Sequence, residues 1–295
     1  MTLLENLGAS DKGRVGSPGR TGWWLGGLAV FLSLEIGVVV LAAKQEPSKQ
    51  EERNSQPFPV RKSGAGRASM NEWKDSFLSG GKTIAVERFE PKTTGRHPAM
   101  ILVHGSNGLT QYGERYRDQA RRLAGEGYVT FLVHFYDRTG HKEALEGDTI
   151  KANFLTWLAT LDDAVSYAAD QKNVDPKRIA LLGHSLGAYL SLSLAATKSA
   201  SKIAALVDYY GGLPHLMKPI AGRFARIPPI LILHGERDRI VPVQEARDLA
   251  DFCRTMNILY EMHLYPNQGH VFYGQDETDS MERTLRFLGK YLREP

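Results

Sequence analysis

The sequence around residue 185 constrains the fold more than any other part of the chain. Residues 178–182 form a short apolar run, residues 183–187 read Gly-His-Ser-Leu-Gly, and residues 186–197 have the apolar spacing of a helix. A Gly-x-Ser-x-Gly pentapeptide between a strand and a helix is typical of a sharp turn that exposes a serine hydroxyl at the edge of a sheet. We therefore predict that Ser185 is a nucleophile and that the N–H of Leu186, at a helix N-terminus, faces an oxyanion.

Apolar runs alternate with helical patterns from about residue 71 to residue 295. This alternation predicts an α/β fold with a mostly parallel central sheet and helices on both faces. Residues 83–89 alternate between apolar and polar and are predicted to form an edge strand. The other predicted strands are 99–103, 128–135, 178–182, 203–209, 229–233 and 258–265. The predicted helices are 111–125, 154–171, 186–197, 242–256 and 277–292.

The turn at Ser185 sets an order for its chemical partners, because folds of this type present nucleophile, acid and base in that sequence order. Asp238 follows the apolar run 229–233 and precedes Pro242, so it is the predicted acid. Glu236 and Asp208 are alternatives, since each also follows or ends an apolar run.

The predicted base is His270, which lies in a Pro-, Asn- and Gly-containing loop after the last predicted strand. A carboxylate behind it holds the imidazole in the tautomer that accepts the serine proton. His104, His184 and His234 lie at strand ends and fit structural roles.

The loop at residues 104–108 reads His-Gly-Ser-Asn-Gly and follows the predicted strand 99–103. Such a loop supplies a second oxyanion donor. We assign this donor to the backbone N–H of Ser106, with that of Asn107 as the alternative.

Candidate substrate contacts are the side chains of Asn107, Tyr136 and Arg138. The loop at 137–147 also carries His141 and Lys142. It either binds an anionic group of a substrate or is a solvated loop, and the second interpretation is favoured.

From about residue 80 to residue 292 the chain resembles the dienelactone hydrolase family. The resemblance rests on residues 104–108, 135–138, 183–187, 209–211, 234–238 and 269–272. It implies an α/β-hydrolase domain without a large lid that hydrolyses esters or lactones without a cofactor. Well-known members have cysteine where this chain has Ser185, and a carboxylate where it has Gly105. A general carboxylesterase therefore fits as well as a lactone hydrolase.

The N-terminal part is predicted to be a disordered segment (1–22), an apolar helix (23–43) and a flexible linker (44–70). The apolar run has the length of a membrane anchor, with Trp23 and Trp24 at its start. A cleaved signal peptide and, because of Glu35, a buried soluble helix are the alternatives. Basic residues before the run favour a cytoplasmic N-terminus, with the catalytic domain on the periplasmic or extracellular side. After cleavage the domain would be secreted.

Composition excludes several other functions. The formal net charge is only +4 and no basic stripe is visible, which argues against nucleic-acid binding. The single cysteine, Cys253, lies in a helical apolar pattern and is predicted to be buried in the core. No cluster of Cys and His suggests a metal site.

These features predict a serine hydrolase that cleaves carboxylic ester or lactone bonds through an acyl-enzyme on Ser185. One alternative is a serine peptidase of the prolyl-oligopeptidase type, which usually has a large additional domain for which this chain has no room. The other is a non-catalytic, membrane-tethered binding protein on a hydrolase scaffold, which the ordered Ser, Asp and His argue against. The sequence does not indicate an oligomeric state.

Overall fold

The computed structural model of the chain describes residues 70–214 and 227–292. The segments predicted at 1–22 and 23–43, and the linker except for its last residue, lie outside the described residues. The membrane anchor, the signal peptide and the localisation therefore stay predictions. In the two described ranges, no helix is both long and apolar enough to cross a membrane.

Eight strands form one sheet, in the order β1-β2-β4-β3-β5-β6-β7-β8, in which β4, β6 and β7 are buried throughout. The strands are β1 (Met70–Ser79), β2 (Lys82–Pro91), β3 (His97–Val103), β4 (Val129–Val133), β5 (Val174–His184), β6 (Ala205–Tyr209), β7 (Ile230–Gly235) and β8 (Tyr260–Tyr265). Strands β3 to β8 run parallel, whereas β1 and β2 pair antiparallel with their neighbours. The prediction of a mostly parallel sheet is confirmed.

Helices cover both faces of this sheet, as predicted. They are α1 (Gly113–Gly125), α2 (Gly147–Ala169), α3 (Leu186–Ala195), α4 (Val243–Thr255) and α5 (Gln275–Leu292). Alternate strand residues point to opposite faces. Ile101 therefore packs in a core with α2, α3 and α4, while Met100 and Leu102 pack in a second core with α1 and α5. Cys253 is fully buried in the first core, as predicted.

The prediction of an edge strand at 83–89 is wrong, because that segment is part of β2, which lies between β1 and β4. The edge is β1, which joins β2 through a turn at Gly80 and Gly81, where φ is +52° and +76°. Residues 72–76 of β1 are all exposed, so the strand lacks the apolar periodicity from which it would be predicted.

Candidate active site

The turn between β5 and α3 holds Ser185 in an unusual backbone conformation, with φ +51° and ψ −117°. A non-glycine residue in this region is strained, and close packing of the surroundings maintains it. A Cβ atom on Gly183 would lie 2.4 Å from the carbonyl oxygen of Gly187. A Cβ on Gly187 would lie 2.3 Å from the carbonyl oxygen of Val103. Only glycine at both positions allows the turn to approach β3 and α3 this closely.

The carboxyl ends of the parallel strands bring three distant side chains together at one edge of the sheet. The Ser185 Oγ lies 2.9 Å from Nε2 of His270. The Nδ1 of the same imidazole lies 2.8 Å from Oδ2 of Asp238. The carboxylate is fully buried, and the His270 side chain is 13% exposed. The three predicted groups thus form one hydrogen-bonded chain in which the imidazole accepts from the hydroxyl and donates to the carboxylate.

The Asp238 carboxylate is fixed by backbone donors as well as by imidazoles. Its Oδ1 accepts the N–H groups of Ile240 and Val241 at 2.8 and 2.9 Å. Burial opposes ionisation, but the charge and hydrogen bonds of His270 and His234 outweigh it, so the pKa of Asp238 is held well below its usual range. The group therefore faces His270 as a carboxylate at neutral pH.

The two alternative acids occupy other places. Glu236 is exposed and lies 3.5 Å from Arg247. Asp208 is buried, and its Oδ1 accepts the N–H of Gly211 at 2.7 Å. Neither carboxylate is hydrogen-bonded to His270, whereas Asp238 is.

The predicted oxyanion loop lies directly against the nucleophile, because a Cβ on Gly105 would be 3.4 Å from the Cβ of Ser185. The carbonyl oxygen of Ser106 accepts the Tyr136 hydroxyl at 3.1 Å and the N–H of Ala144 at 2.8 Å. Within residues 70–214 and 227–292, no acceptor takes the N–H of Ser106 or of Leu186. Both N–H groups are thus available to a bound oxygen.

The three candidate substrate contacts differ in their placement. Asn107 is half-buried, and its amide donates to Gln111 at 2.7 Å. Tyr136 is buried and supports the Ser106 loop rather than opening to solvent.

The structure does not bring Arg138 to Ser185. Its guanidinium donates to the hydroxyl of Ser79 and lies 3.6 Å from Asp163 of α2. The side chain also covers Gly80, where an added Cβ would lie 2.4 Å from it. Protein groups of the β1–β2 turn and α2 thus compensate the charge of Arg138, and its contact with a substrate stays a prediction.

A second hydrogen-bonded chain runs beside the first. The buried His184 has Nδ1 2.7 Å from the Tyr210 hydroxyl and Nε2 2.7 Å from Oε1 of Gln119. Burial lowers the pKa of His184 to about 3. The Tyr210 ring lies 4.8 Å from the imidazole of His270 and packs against it. Sequence reasoning predicted a structural role for His184 but did not assign one to Tyr210, although residues 209–211 are part of the family resemblance.

Arg115 of α1 fixes the loop that carries the imidazole, and sequence reasoning missed it. Its Nη2 donates to the carbonyl oxygen of Phe272 at 2.6 Å and to Glu277 at 2.8 Å. The guanidinium also lies 4.9 Å from the ring of Tyr273. An arginine in an amphipathic helix gives no signal by which such a distant contact would be recognised.

The fold is that of the α/β-hydrolase class: a mostly parallel sheet with helices on both faces, with a serine after β5, a carboxylate after β7 and an imidazole after β8 hydrogen-bonded in a chain. The sequence pattern described as "Dienelactone hydrolase family" matches residues 84–291 of this chain. The chain belongs to the dienelactone hydrolase family.

Individual relatives agree with this placement. A protein of Escherichia coli K12 named "Putative carboxymethylenebutenolidase" is 27% identical over 238 residues, which cover 73% of this chain and 86% of the relative. The fold resembles the crystal structure of the dienelactone hydrolase-like promiscuous phosphotriesterase P91 from metagenomic libraries, with a TM-score of 0.66, 19% identity, and 76% and 100% of the two chains covered. It also resembles a dienelactone hydrolase of Anabaena variabilis, with a TM-score of 0.63, 19% identity, and 76% and 99% covered.

Proposed function

We propose that this protein is a serine hydrolase that cleaves carboxylic ester or lactone bonds through an acyl-enzyme on Ser185. The observation that carries the proposal is the hydrogen-bonded chain from Ser185 Oγ through His270 to Asp238, with distances of 2.9 and 2.8 Å. Family membership supports hydrolysis as the reaction and makes a lactone one of the expected substrates.

In the proposed reaction, His270 Nε2 takes the hydroxyl proton as Ser185 Oγ attacks the carbonyl carbon. The N–H groups of Ser106 and Leu186 bind the oxygen that becomes negative. Asp238 stabilises the imidazolium, which then gives its proton to the departing alkoxide. Water attacks the acyl-enzyme with the same imidazole as base and releases the acid. For a lactone, the alcohol and the acid are the two ends of one product.

The surroundings of the nucleophile favour uncharged substrates in this proposal. Gly105 adds no side chain next to Ser185, and the guanidinium of Arg138 is paired with Asp163. We therefore expect neutral short-chain esters and simple lactones to react better than substrates with a free carboxylate near the scissile bond.

The test uses the full chain and p-nitrophenyl acetate, p-nitrophenyl butyrate, neutral lactones and a peptide p-nitroanilide. We expect ester and lactone hydrolysis, a pre-steady-state burst of p-nitrophenol, and labelling by a fluorophosphonate probe. Ser185→Ala should lower kcat by at least about 10³-fold and abolish labelling.

Ser193→Ala is the matched control, because Ser193 is a buried serine of α3 outside the hydrogen-bonded chain. It should retain activity and labelling. Activity retained by Ser185→Ala would refute the assigned nucleophile. Turnover of the anilide in preference to the esters would favour a peptidase, and an unlabelled, inactive protein would favour a binding role.

A further inference from the structure

Two buried ionisable side chains that the proposed reaction does not use lie next to Asp238. Asp208 of β6 is 1% exposed, and His234 of β7 is fully buried. In the sheet, Asp208 pairs with Ile232, and His234 lies two residues further along the same strand. Because side chains alternate between faces, Asp208 and His234 point to the same face of neighbouring strands.

Each of these side chains satisfies one of its polar atoms and leaves the other unpaired. His234 Nε2 donates to the carbonyl oxygen of Val241 at 2.9 Å and lies 3.3 Å from Oδ2 of Asp238. Asp208 Oδ1 accepts the N–H of Gly211. Asp208 Oδ2 and His234 Nδ1 have no hydrogen-bonding partner in the described part of the chain. Unpaired buried polar atoms are costly, and a carboxyl and an imidazole on one face relieve that cost by sharing a proton.

We propose that Asp208 and His234 form a second, buried carboxylate–imidazole pair that holds one proton through a bridging water and tunes the basicity of His270 through the carboxylate of Asp238. The pair acts on the active site only through Asp238 and is a positioning pair. The inference rests on the proposed function, in which His270 is the base.

The other ionisable groups that interact with the pair are Tyr189 of α3, Cys253 of α4 and Asp238. Glu245 in turn acts on Tyr189, and His270 acts on Asp238. Burial raises the pKa of Cys253 to about 12 and that of Tyr189 well above its usual value, so both stay uncharged. Asp238 is the ionised group that His234 directly contacts, and Asp238 in turn contacts His270.

The pair holds its proton near neutral pH. Burial raises the pKa of Asp208 to about 7, against the opposing effects of His234 and the Gly211 N–H. For His234, burial favours the neutral form, but the hydrogen bond and charge of Asp238 outweigh it and raise the pKa. Burial of Asp208 and the Asp238 charge beside His234 thus raise the pKa of both members of the pair, which favours retention of a proton.

The two members of the pair act on His270 with opposite signs. A cationic His234 beside Asp238 offsets part of the negative charge that stabilises the His270 imidazolium. The negative charge of Asp208 restores it. Removing Asp208 should make His270 less basic, and removing His234 should make it more basic.

The experiment follows the imidazole nitrogens of His270 by NMR in the full chain labelled with ¹⁵N-histidine, as a function of pH. We expect Asp208→Asn to move the His270 titration midpoint down, and His234→Gln to move it up, each by about 0.5 to 1 pH unit. Glutamine keeps an N–H donor for Val241. The pH profile of kcat/KM for p-nitrophenyl acetate should move in the same directions.

Cys253→Ala is the matched control, since it changes a buried side chain of the same core without changing charge; its His270 midpoint should equal that of the unmodified chain. Shifts of the same sign in both variants, or shifts no larger than that of the control, would overturn the proposal. If one of the two variants does not fold, the direction of the His270 midpoint shift in the other variant tests the proposal. The NMR midpoints are measured without enzyme turnover and therefore test the Asp208–His234 pair alone. Activity retained by Ser185→Ala would instead refute the proposed function, so the two failures are distinguishable.

Discussion

The two sides of the active site are built in different ways. The turn that carries Ser185 is fixed by backbone packing, because Gly183 and Gly187 let main-chain atoms of neighbouring elements approach closely. The loops that carry Asp238 and His270 are fixed by side-chain hydrogen bonds, including those of Arg115.

This difference separates two kinds of sensitivity. Backbone packing at the turn does not depend on charge, so the position of the nucleophile should withstand changes of pH but not an added methyl group. The loops tolerate small changes of volume, but they depend on the charge and the hydrogen-bonding pattern of each group. Four substitutions test this division.

The largest effect is expected for Gly187→Ala, which tests the packing of the turn. The new Cβ would lie 2.3 Å from the Val103 carbonyl oxygen, so β3 and α3 must separate. We expect loss of measurable esterase activity and a fall in the free energy of unfolding of about 3 kcal/mol or more. Gly125→Ala at the end of α1 is the control, because no atom lies within 4 Å of its added Cβ. Denaturant unfolding that is equal for both variants would contradict the packing argument.

Asp238→Asn tests the loop side and should lower kcat by about 10³- to 10⁴-fold. The amide places a donor toward His270 Nδ1, which favours the tautomer that cannot accept the Ser185 proton. The fold should persist, since Oδ1 still accepts the N–H groups of Ile240 and Val241. Glu236→Gln is the control and should retain nearly full kcat. A larger loss of kcat in Glu236→Gln than in Asp238→Asn would identify Glu236 as the acid instead.

The stability of the charged groups near the Asp238 loop should depend on pH, whereas the packing of the Ser185 turn should not. In the folded chain the pKa of Asp208 is raised to about 7, so between about pH 4 and pH 7 the folded state keeps a proton that the unfolded state loses. The free energy of unfolding of the unmodified chain should therefore fall by about 2 kcal/mol or more as pH rises through this range, compared with Asp208→Asn. Urea unfolding at about pH 4.5 and about pH 7.5, near the two ends of this window, measures the difference; parallel curves for both proteins would contradict it.

The smallest effect is expected for Tyr136→Phe, because it removes one of two donors to the Ser106 carbonyl oxygen and leaves that of Ala144. The loss of one hydrogen bond corresponds to about 1 kcal/mol, or about a fivefold decrease in kcat with little change in KM. Tyr291→Phe on α5 is the control. A change in KM alone would mean that Tyr136 contacts substrate instead of supporting the loop.

The sequence was sufficient to predict the sheet, the helices on both faces and the residues that meet at the active site. Apolar runs identify buried parallel strands, and the order of Ser185, Asp238 and His270 follows from chain connectivity. Their meeting in space agrees with the prediction, and their catalytic roles stay a proposal.

Other features depend on contacts that no local pattern encodes. The edge strand β1 has a mostly exposed surface, so the apolar signal was assigned to β2 as the edge. The protein partners of Arg138, Ser79 and Asp163, are distant from it in the chain, so no local pattern indicates these contacts. A carboxylate in the apolar strand β6 was a visible sign that Asp208 is unusual, yet its neighbour His234 became evident only from the sheet register.

The buried imidazole of His184 gives the second hydrogen-bonded chain a fixed polarity. With its pKa lowered to about 3, the ring is neutral across the working range and has one donor and one acceptor. Because Gln119 Oε1 accepts from Nε2, Nδ1 must accept from Tyr210. The phenolic hydrogen beside the active site thus points permanently inward. Tyr210 contacts His270 through its apolar ring, and its hydroxyl is bonded to His184, so the phenol is not placed to exchange a proton with the His270 imidazole.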